Sequence, residues 1–400
     1  MARQIVSGID IGTSLVKVII AERVIEGARA VPKIIGTGSA ESKGISRGYI
    51  TNTGEAAKSI ELAVSRAEKM AGVKVKRAYV SFGGVGLSGV ISKGLVVISR
   101  ADLEVTDRDM ALALEAAEAS IPKEDSVNKR IINTVPIEYK IDGKTALGPA
   151  LGLKGQRLEV KALFITCLEH HLTNLISTVE EAGVEVVDIV ASPVAASFVT
   201  LSKKQKKVGS LLADIGAETT SIVVFENGNL ISLAVFPIGS SDITNDIALG
   251  LKVSLEDAED LKLGNGGRVT YSKKKLDEII AARLGDSFDL IQSHLKTIGR
   301  DALLPAGVVM TGGGSTTANI KNVASSTLKL PAQNAEIYFG TTDPTKVRDK
   351  IWAVACGLAM VGFNADDEQR TIGIRNGGLG AIDGKRWGKV ILRWVSQFLP

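Results

Sequence analysis

The chain has 400 residues, 45% hydrophobic and 23% charged, which excludes disordered and fibrous classes and predicts two or three domains at about 150 residues each. Lys plus Arg is 48 against 44 Asp plus Glu, and the resulting net charge of +4 is too balanced for a surface that wraps nucleic acid, so no nucleic-acid partner is expected. Glycine is abundant at 42 residues while aromatics are only 4%, a composition suited to loops whose backbone approaches a ligand closely. Cys167 and Cys356 are the only cysteines and imply no disulfide framework. Met1 to Gly8 lacks the apolar stretch of a signal peptide, and Ala353–Phe363 is shorter than the roughly 20 residues a membrane helix needs. A cytosolic or membrane-surface location is expected.

The chain opens as strand, turn, strand: Gln4–Ile9, the turn Asp10-Ile11-Gly12-Thr13-Ser14, then Val16–Ala21. Ala57, Ile60, Val64, Ala67 and Met70 recur at helical spacing and predict a helix over Thr53–Ala71. Ala78–Phe82 reads as a strand ending in a glycine-rich turn. An α+β stretch follows to about Phe164, with one clear helix, Asp107–Ala119, capped by Thr106. A second α/β run begins with a helix from Leu168 to Ala182, a strand over Val184–Val190 and a helix from Pro193. The charge run Lys203–Lys207 reads as a solvated turn where the chain crosses between two halves.

The second half repeats the grammar of the first. Strands Ser210–Ala213 and Ser221–Phe225 flank Asp214-Ile215-Gly216-Ala217-Glu218-Thr219-Thr220, so Asp-Ile-Gly stands twice between apolar strands, a weak internal duplication. Helices are predicted over Asp242–Leu249, Leu255–Leu261 and Lys274–Gly299. A strand over Val308–Met310 feeds Thr311-Gly312-Gly313-Gly314-Ser315, and a helix covers Val347–Val361. From Asn364 the chain is polar and glycine-rich, as in a linker, until an amphipathic segment from Arg386.

A tight turn between strands aims several backbone N–H groups at one point and can cradle phosphate oxygens. Thr13, Ser14, Thr219 and Thr220 add hydroxyl donors, and Asp10 and Asp214 would hold the waters of a Mg²⁺ ion from opposite sides of a cleft. Lys17 is within reach of a phosphate, or is a solvated strand residue. One such turn alone would read as an ordinary hairpin; two in matching contexts, with a third at Gly312-Gly313-Gly314, point to a nucleotide site. The third turn, lacking Cβ atoms, lets an adenosine lie on the backbone, with Ser315 beside it. Glu259 and Lys262 share a helix face and suit ribose hydroxyls, or form a surface ion pair. Gly84-x-Gly86-x-x-Gly89 matches a dinucleotide fingerprint, but a strand follows where a helix is required.

This ordered set of turns and connecting helices resembles the actin, Hsp70 and sugar-kinase ATPase superfamily. Within it, the stretches LGPALGLKGQRLEV (147–160) and PIGSSDITNDIA (237–248) resemble the FtsA family of bacterial cell-division proteins. The resemblance implies an α/β, actin-like two-lobed ATPase fold with an inserted α+β subdomain and a C-terminal amphipathic helix, with ATP and Mg²⁺ in the cleft. It divides the chain into a first lobe (1–82 and 166–205, with 346–362 returning to it), an inserted subdomain (83–165) and a second-lobe core (206–245 and 303–345). A nucleotide-base subdomain (246–302), a linker (363–384) and the terminal helix (385–400) complete it. It further implies self-assembly into filaments and binding of the FtsZ C-terminal peptide on the base subdomain, with Lys296 and Arg300 as contacts for that acidic peptide.

Two departures stand out. Ala217 and Glu218 occupy the second turn where family members often carry glycines, and Glu218 would set a negative charge near a terminal phosphate unless it points away. Ser192 precedes the connecting-helix Pro193 where Hsp70-like relatives carry a water-orienting Glu; Ser is a poor base, so ATP binding with slow hydrolysis is expected.

The last segment carries a separate signal. Trp387, Val390, Ile391, Trp394, Val395, Phe398 and Leu399 lie on one helical face, with Lys385, Arg386, Lys389 and Arg393 off it, which describes an interfacial helix on anionic membrane lipids. Gly388 costs about 1 kcal/mol of helicity, consistent with a helix that forms on the membrane; a terminal helix packed on the core is the plainer alternative. The expected protein is an ATP-binding scaffold on the cytoplasmic face of the membrane at the division site. The alternatives are a pilus-assembly protein of the same group docking on a membrane partner, or a small-molecule kinase of the same fold.

Overall fold

The structure, a computed structural model, describes residues 4–26, 29–146, 148–265, 270–339 and 349–371. In the first lobe, β1 (Ile5–Ile11), β2 (Leu15–Glu26) and β3 (Arg29–Glu41) form an antiparallel meander. A short hairpin, β4 (Ile45–Ser46) and β5 (Tyr49–Ile50), leads to α1 (Thr53–Ala71) and β6 (Arg77–Phe82). The chain then enters an insert: β7 (Ser88–Val97), α2 (Asp107–Ala119), α3 (Lys123–Ser126), β8 (Lys129–Ile141), β9 (Lys144–Thr145) and β10 (Arg157–Leu168). It returns through α4 (Glu169–Glu181), β11 (Glu185–Ala191), α5 (Ser192–Thr200) and α6 (Lys203–Val208). The second lobe runs β12 (Ser210–Ile215), β13 (Thr220–Glu226), β14 (Asn229–Phe236), α7 (Ser240–Leu251), α8 (Leu255–Lys262) and α9 (Lys273–Thr297). It ends with β15 (Val308–Thr311), α10 (Ile320–Leu328), β16 (Ala332–Asn334) and α11 (Ala353–Thr371).

The duplication read in the turns extends to topology. The first sheet has the order β11-β6-β1-β2-β3 and the second lobe contributes β16-β15-β12-β13-β14, the same sequence of a meander flanked by two parallel strands. In each lobe the first two strands are joined by an Asp-Ile-Gly turn, so the repeat delivers both turns to equivalent strand ends. Each lobe closes on a helix, α5 and α11, and these two pack against each other so closely that a Cβ on Gly357 would overlap the carbonyl of Ala195. The second-lobe sheet continues into the insert through one residue pair, Ala234 with Ser88.

Local chemistry explains the helix bounds. Asn52 accepts from the Glu55 N–H at 3.2 Å to start α1, and Gly72, at φ 68°, ends it. Its Ala63 and Ala67 sit on Gly38 and Gly36 of β3, where side chains would collide with the helix backbone. Thr106 donates from its N–H and hydroxyl to Asp109 (2.8 and 2.5 Å), setting the start of α2, which lies over Gly94 of β7. The insert has its own core around Leu114, Leu158, Val160 and Phe164.

The structure corrects the sequence reading in two segments. Lys203–Lys207 is helical: Ser202 accepts from the Gln205 N–H at 3.2 Å while Gln205 accepts from the Ser202 N–H, a reciprocal cap that nucleates α6. Lys206 turns inward over the rings of Phe198 and Phe225, and burial pushes its ammonium down to about 7. The helix expected over Val347–Val361 begins at Ala353, after a single 3₁₀ turn at Lys350–Trp352, and continues to Thr371 through the start of the expected linker. The interfacial residues Trp387, Val390, Ile391, Trp394, Val395, Phe398 and Leu399 lie outside the described residues, among which no helix is long and apolar enough to cross a membrane.

Candidate functional site

The two Asp-Ile-Gly turns close in the same way. The Gly12 N–H donates to the Leu15 carbonyl at 3.2 Å, and the Gly216 N–H donates to the Thr219 carbonyl at 2.8 Å. The first turn is anchored from below by Ser42, whose hydroxyl donates to the Gly12 carbonyl at 2.5 Å. The second is anchored by the start of α7: the N–H groups of Ser240 and Ser241 donate to the Gly216 and Ala217 carbonyls at 2.9 and 2.8 Å. Gly239 makes that approach possible, because a Cβ there would overlap the Ala217 backbone, and its N–H donates to Asp242 to cap α7.

The turns and the third glycine-rich turn line one cavity of about 390 Å³ between the lobes. Asp10, Gly12, Thr13, Ser14 and Lys17 reach it from the first lobe, and Asp214, Gly216, Ala217 and Thr219 from the second. Gly312, Gly313 and Gly314 form its far wall, with Glu259 and Lys262 beside them. Gly312 has φ 81°, and a Cβ on it would overlap both the Asp214 carboxylate and the Ile215 carbonyl, so the wall is open only because the residue is glycine.

Among the described residues, the floor is a carboxylate pair with Lys17 as its counter-ion. Asp10 accepts from the Ser81 hydroxyl at 2.9 Å and pairs with the Lys17 ammonium at 2.7 Å. The Ser81 oxygen in turn accepts from the Ile11 N–H at 3.1 Å, which fixes the end of β1. Burial, and then the charge of Asp10, push the Asp214 carboxyl up to about 6 against the relief given by Lys17. Such a pair, short of positive charge, is suited to an added divalent cation. At the other end Lys262 is buried and donates to Glu259 (2.6 Å), Thr244 (2.8 Å) and the Ser240 carbonyl (3.2 Å), so the Glu259–Lys262 pair is a built part of the wall.

Three predicted residues do not line the cavity. Glu218 crosses to the first lobe, where it accepts from the Arg47 N–H at 2.6 Å and the Ser46 hydroxyl at 3.1 Å. Thr220 is buried and donates to the Ile238 carbonyl at 2.8 Å, and Ser315 is buried and donates to the Gly312 carbonyl at 2.7 Å; both hold turns in shape. Lys296 and Arg300 lie away from the cavity at the end of α9. Lys296 is exposed and donates to Gln292, whereas Arg300 is paired with Glu226 at 2.6 Å. Ser81 and Lys350 reach the cavity although no local pattern singles them out, and Ser192 does so from the first turn of α5. Desolvation holds the Lys350 ammonium below its ordinary range.

The geometry agrees with the comparisons to known proteins. The family model "Cell division protein FtsA" matches residues 211–357, and "SHS2 domain inserted in FTSA" matches residues 84–166. Cell division protein FtsA of Pseudomonas aeruginosa is 30% identical over 395 residues, covering 93% of this chain and 92% of that one. That of Bacillus subtilis is 31% identical over 393 residues, covering 92% and 86%. Among solved structures, the PilM–PilN type IV pilus biogenesis complex aligns at a TM-score of 0.64 with 17% identity, covering 89% of this chain and 98% of that one. MreB5 of Spiroplasma citri bound to AMPPNP aligns at 0.52 with 14% identity, covering 93% and 99%. These structural likenesses establish an actin-like ATPase fold, and the sequence relatives narrow it: the chain belongs to the FtsA family of cell-division proteins.

Proposed function

We propose that the chain binds ATP with Mg²⁺ between its lobes, polymerises on the cytoplasmic face of the membrane and tethers FtsZ there at the division site. The observation that carries the nucleotide reading is the convergence of two identically closed turns, a glycine wall and the Asp10–Asp214 pair on one cavity. MreB5, of the same fold, has been solved with AMPPNP. Gly12, Thr13 and Ser14, with Gly216, Ala217 and Thr219, would hold the phosphates, and Asp10 and Asp214 the metal through its waters. Lys17 would exchange part of its contact with Asp10 for a phosphate. Glu259 and Lys262 suit the ribose, and Gly312, Gly313 and Gly314 leave a surface for the adenosine. Mg²⁺, when bound, neutralises phosphate charge.

The tail supplies the anchor in this reading: each of its four basic residues is worth about 1 kcal/mol beside an anionic leaflet. FtsZ binding rests on family membership. Of the two candidate contacts, Lys296 is the accessible cation, and an acidic peptide would have to compete with Glu226 for Arg300. Titration of fluorescent ATP with and without Mg²⁺ tests the nucleotide reading. Wild type should bind in a Mg²⁺-dependent manner, and Gly312→Ala should weaken binding about ten- to a hundredfold, because φ 81° and the Asp214 overlap both oppose the new Cβ. Equal binding by the two proteins would refute it.

A further inference from the structure

Glu218 is part of the second turn, yet its carboxylate is held by the opposite lobe. Its two donors, the Ser46 hydroxyl and the Arg47 N–H, belong to the β4–β5 hairpin. Arg47 and Gly48 both have positive φ, 49° and 76°, the paired left-handed residues of a tight two-residue hairpin turn. Gly48 lines the cavity and rests on Gly83 and Gly84, where a Cβ would approach to 2.7 Å. The Arg47 carbonyl accepts from the Val85 N–H at 3.3 Å. Tyr49 lies over Gly84, its hydroxyl accepts from the Gly86 N–H, and its ring stacks on His171 of α4 at 3.7 Å. Residues 83–87 are the segment by which the chain enters the insert at β7. The hairpin tip therefore touches, at once, the second phosphate turn and the root of the inserted subdomain.

The electrostatics give this contact a direction. Ala217 and Thr219, on either side of Glu218, line the cavity, so a Glu218 carboxylate released from the hairpin sits beside whatever anion the turn holds. While Ser46 and Arg47 hold it, its charge is turned out of the cleft and hydrogen-bonded. A ligand with a terminal phosphate at this turn is repelled by the released carboxylate and tolerated by the held one, so it binds the latched form more tightly. By reciprocity it strengthens the latch, whereas a diphosphate, lacking that charge, does so less.

We propose that Glu218 is a specificity-determining latch, whose hydrogen bonds to the β4–β5 hairpin form preferentially with a nucleoside triphosphate and pass the distinction from a diphosphate to the root of the insert. This rests on the cleft being a nucleotide site. It is tested by amide hydrogen exchange on the full chain, without nucleotide and with saturating Mg-ADP or Mg-AMPPNP, saturation being measured separately by nucleotide titration. In wild type, exchange over residues 45–49 and 83–87 should slow about fivefold or more with AMPPNP relative to ADP. In Glu218→Ala that difference should vanish with both nucleotides bound. In Glu218→Gln, which keeps an acceptor and loses the charge, the hairpin should be protected to the same degree with either nucleotide. A retained AMPPNP–ADP difference in Glu218→Ala, or none in wild type with both nucleotides bound, would overturn the latch. Failure of wild type to bind either nucleotide would instead overturn the reading of the cleft, and the latch with it.

Discussion

Asp214 is costly in the unliganded chain, and in the proposed function it is one of the groups that would meet the metal. Its carboxyl is raised from 3.8 to about 6 by burial and by Asp10, so the folded chain holds this proton more tightly than the unfolded chain. Its contribution to stability is therefore complete below about pH 4 and lost as pH rises through about 6, by at most about 3 kcal/mol. Asp214→Asn should raise the melting temperature of the nucleotide-free protein at pH 7.5, flatten its slope between pH 4 and 6, and abolish Mg²⁺-dependent ATP binding. Thermal denaturation from pH 4 to 7.5 checks the first two, and an Asn variant that melts lower than wild type at pH 7.5 contradicts the account. The position of Asp214 was legible in the sequence because the Asp-Ile-Gly turn is local, built from seven consecutive residues. The direction of Glu218 was not, since its partners stand 171 and 172 residues away.

At the scale of elements, legibility followed the caps. The bounds of α1 and α2 match the sequence reading because Asn52, Gly72 and the Thr106–Asp109 pair mark them chemically. The strand β3 has no counterpart in the sequence reading; Pro32, Gly36 and Gly38 weaken its strand pattern, yet those two glycines are where α1 comes closest. The strand β8 carries Pro136 at a register shift against β10, which hides it in the same way. The helix α5 brings the first of its residues, Ser192, into the cavity, against Gly83 of the strand-end turn. A hydroxyl at that place orients water poorly and takes up its proton poorly. Purified wild type should thus release phosphate more slowly than about once per minute, an interval corresponding to a barrier near 20 kcal/mol. Ser192→Glu should raise that rate several-fold in a phosphate-release assay, and no change on introducing the carboxylate would remove Ser192 as the cause.

For the whole molecule, charge and architecture divide the work. The 16 residues from Lys385 carry four basic and no acidic side chains, leaving 44 of each sign on the rest of the chain, so the entire net charge belongs to the tail. A neutral body with a cationic, tryptophan-bearing foot should meet an anionic surface in one orientation. Electron microscopy on anionic lipid monolayers with ATP should show filaments of the full chain, and deletion of Arg386–Pro400 should leave the monolayer bare. Filaments that persist on the lipid after the deletion would rule the tail out as anchor. The division of charge is read from composition alone, whereas the gathering of Ser81 and Lys350 at the cleft depends on tertiary packing.

The crossing of α5 and α11 has a mechanical meaning. Gly357 lies against the Ala195 carbonyl with no room for even a methyl group, and around that contact Val194 and Val199 of α5 share one core with Val354, Leu358 and Val361 of α11. A seam this tight fixes the spacing of the two helices, because any side chain larger than hydrogen at 357 must push their backbones apart. A methyl group at 357 would therefore be felt in the cleft, since Ser192 at the start of α5 and Val354 near the start of α11 both line it.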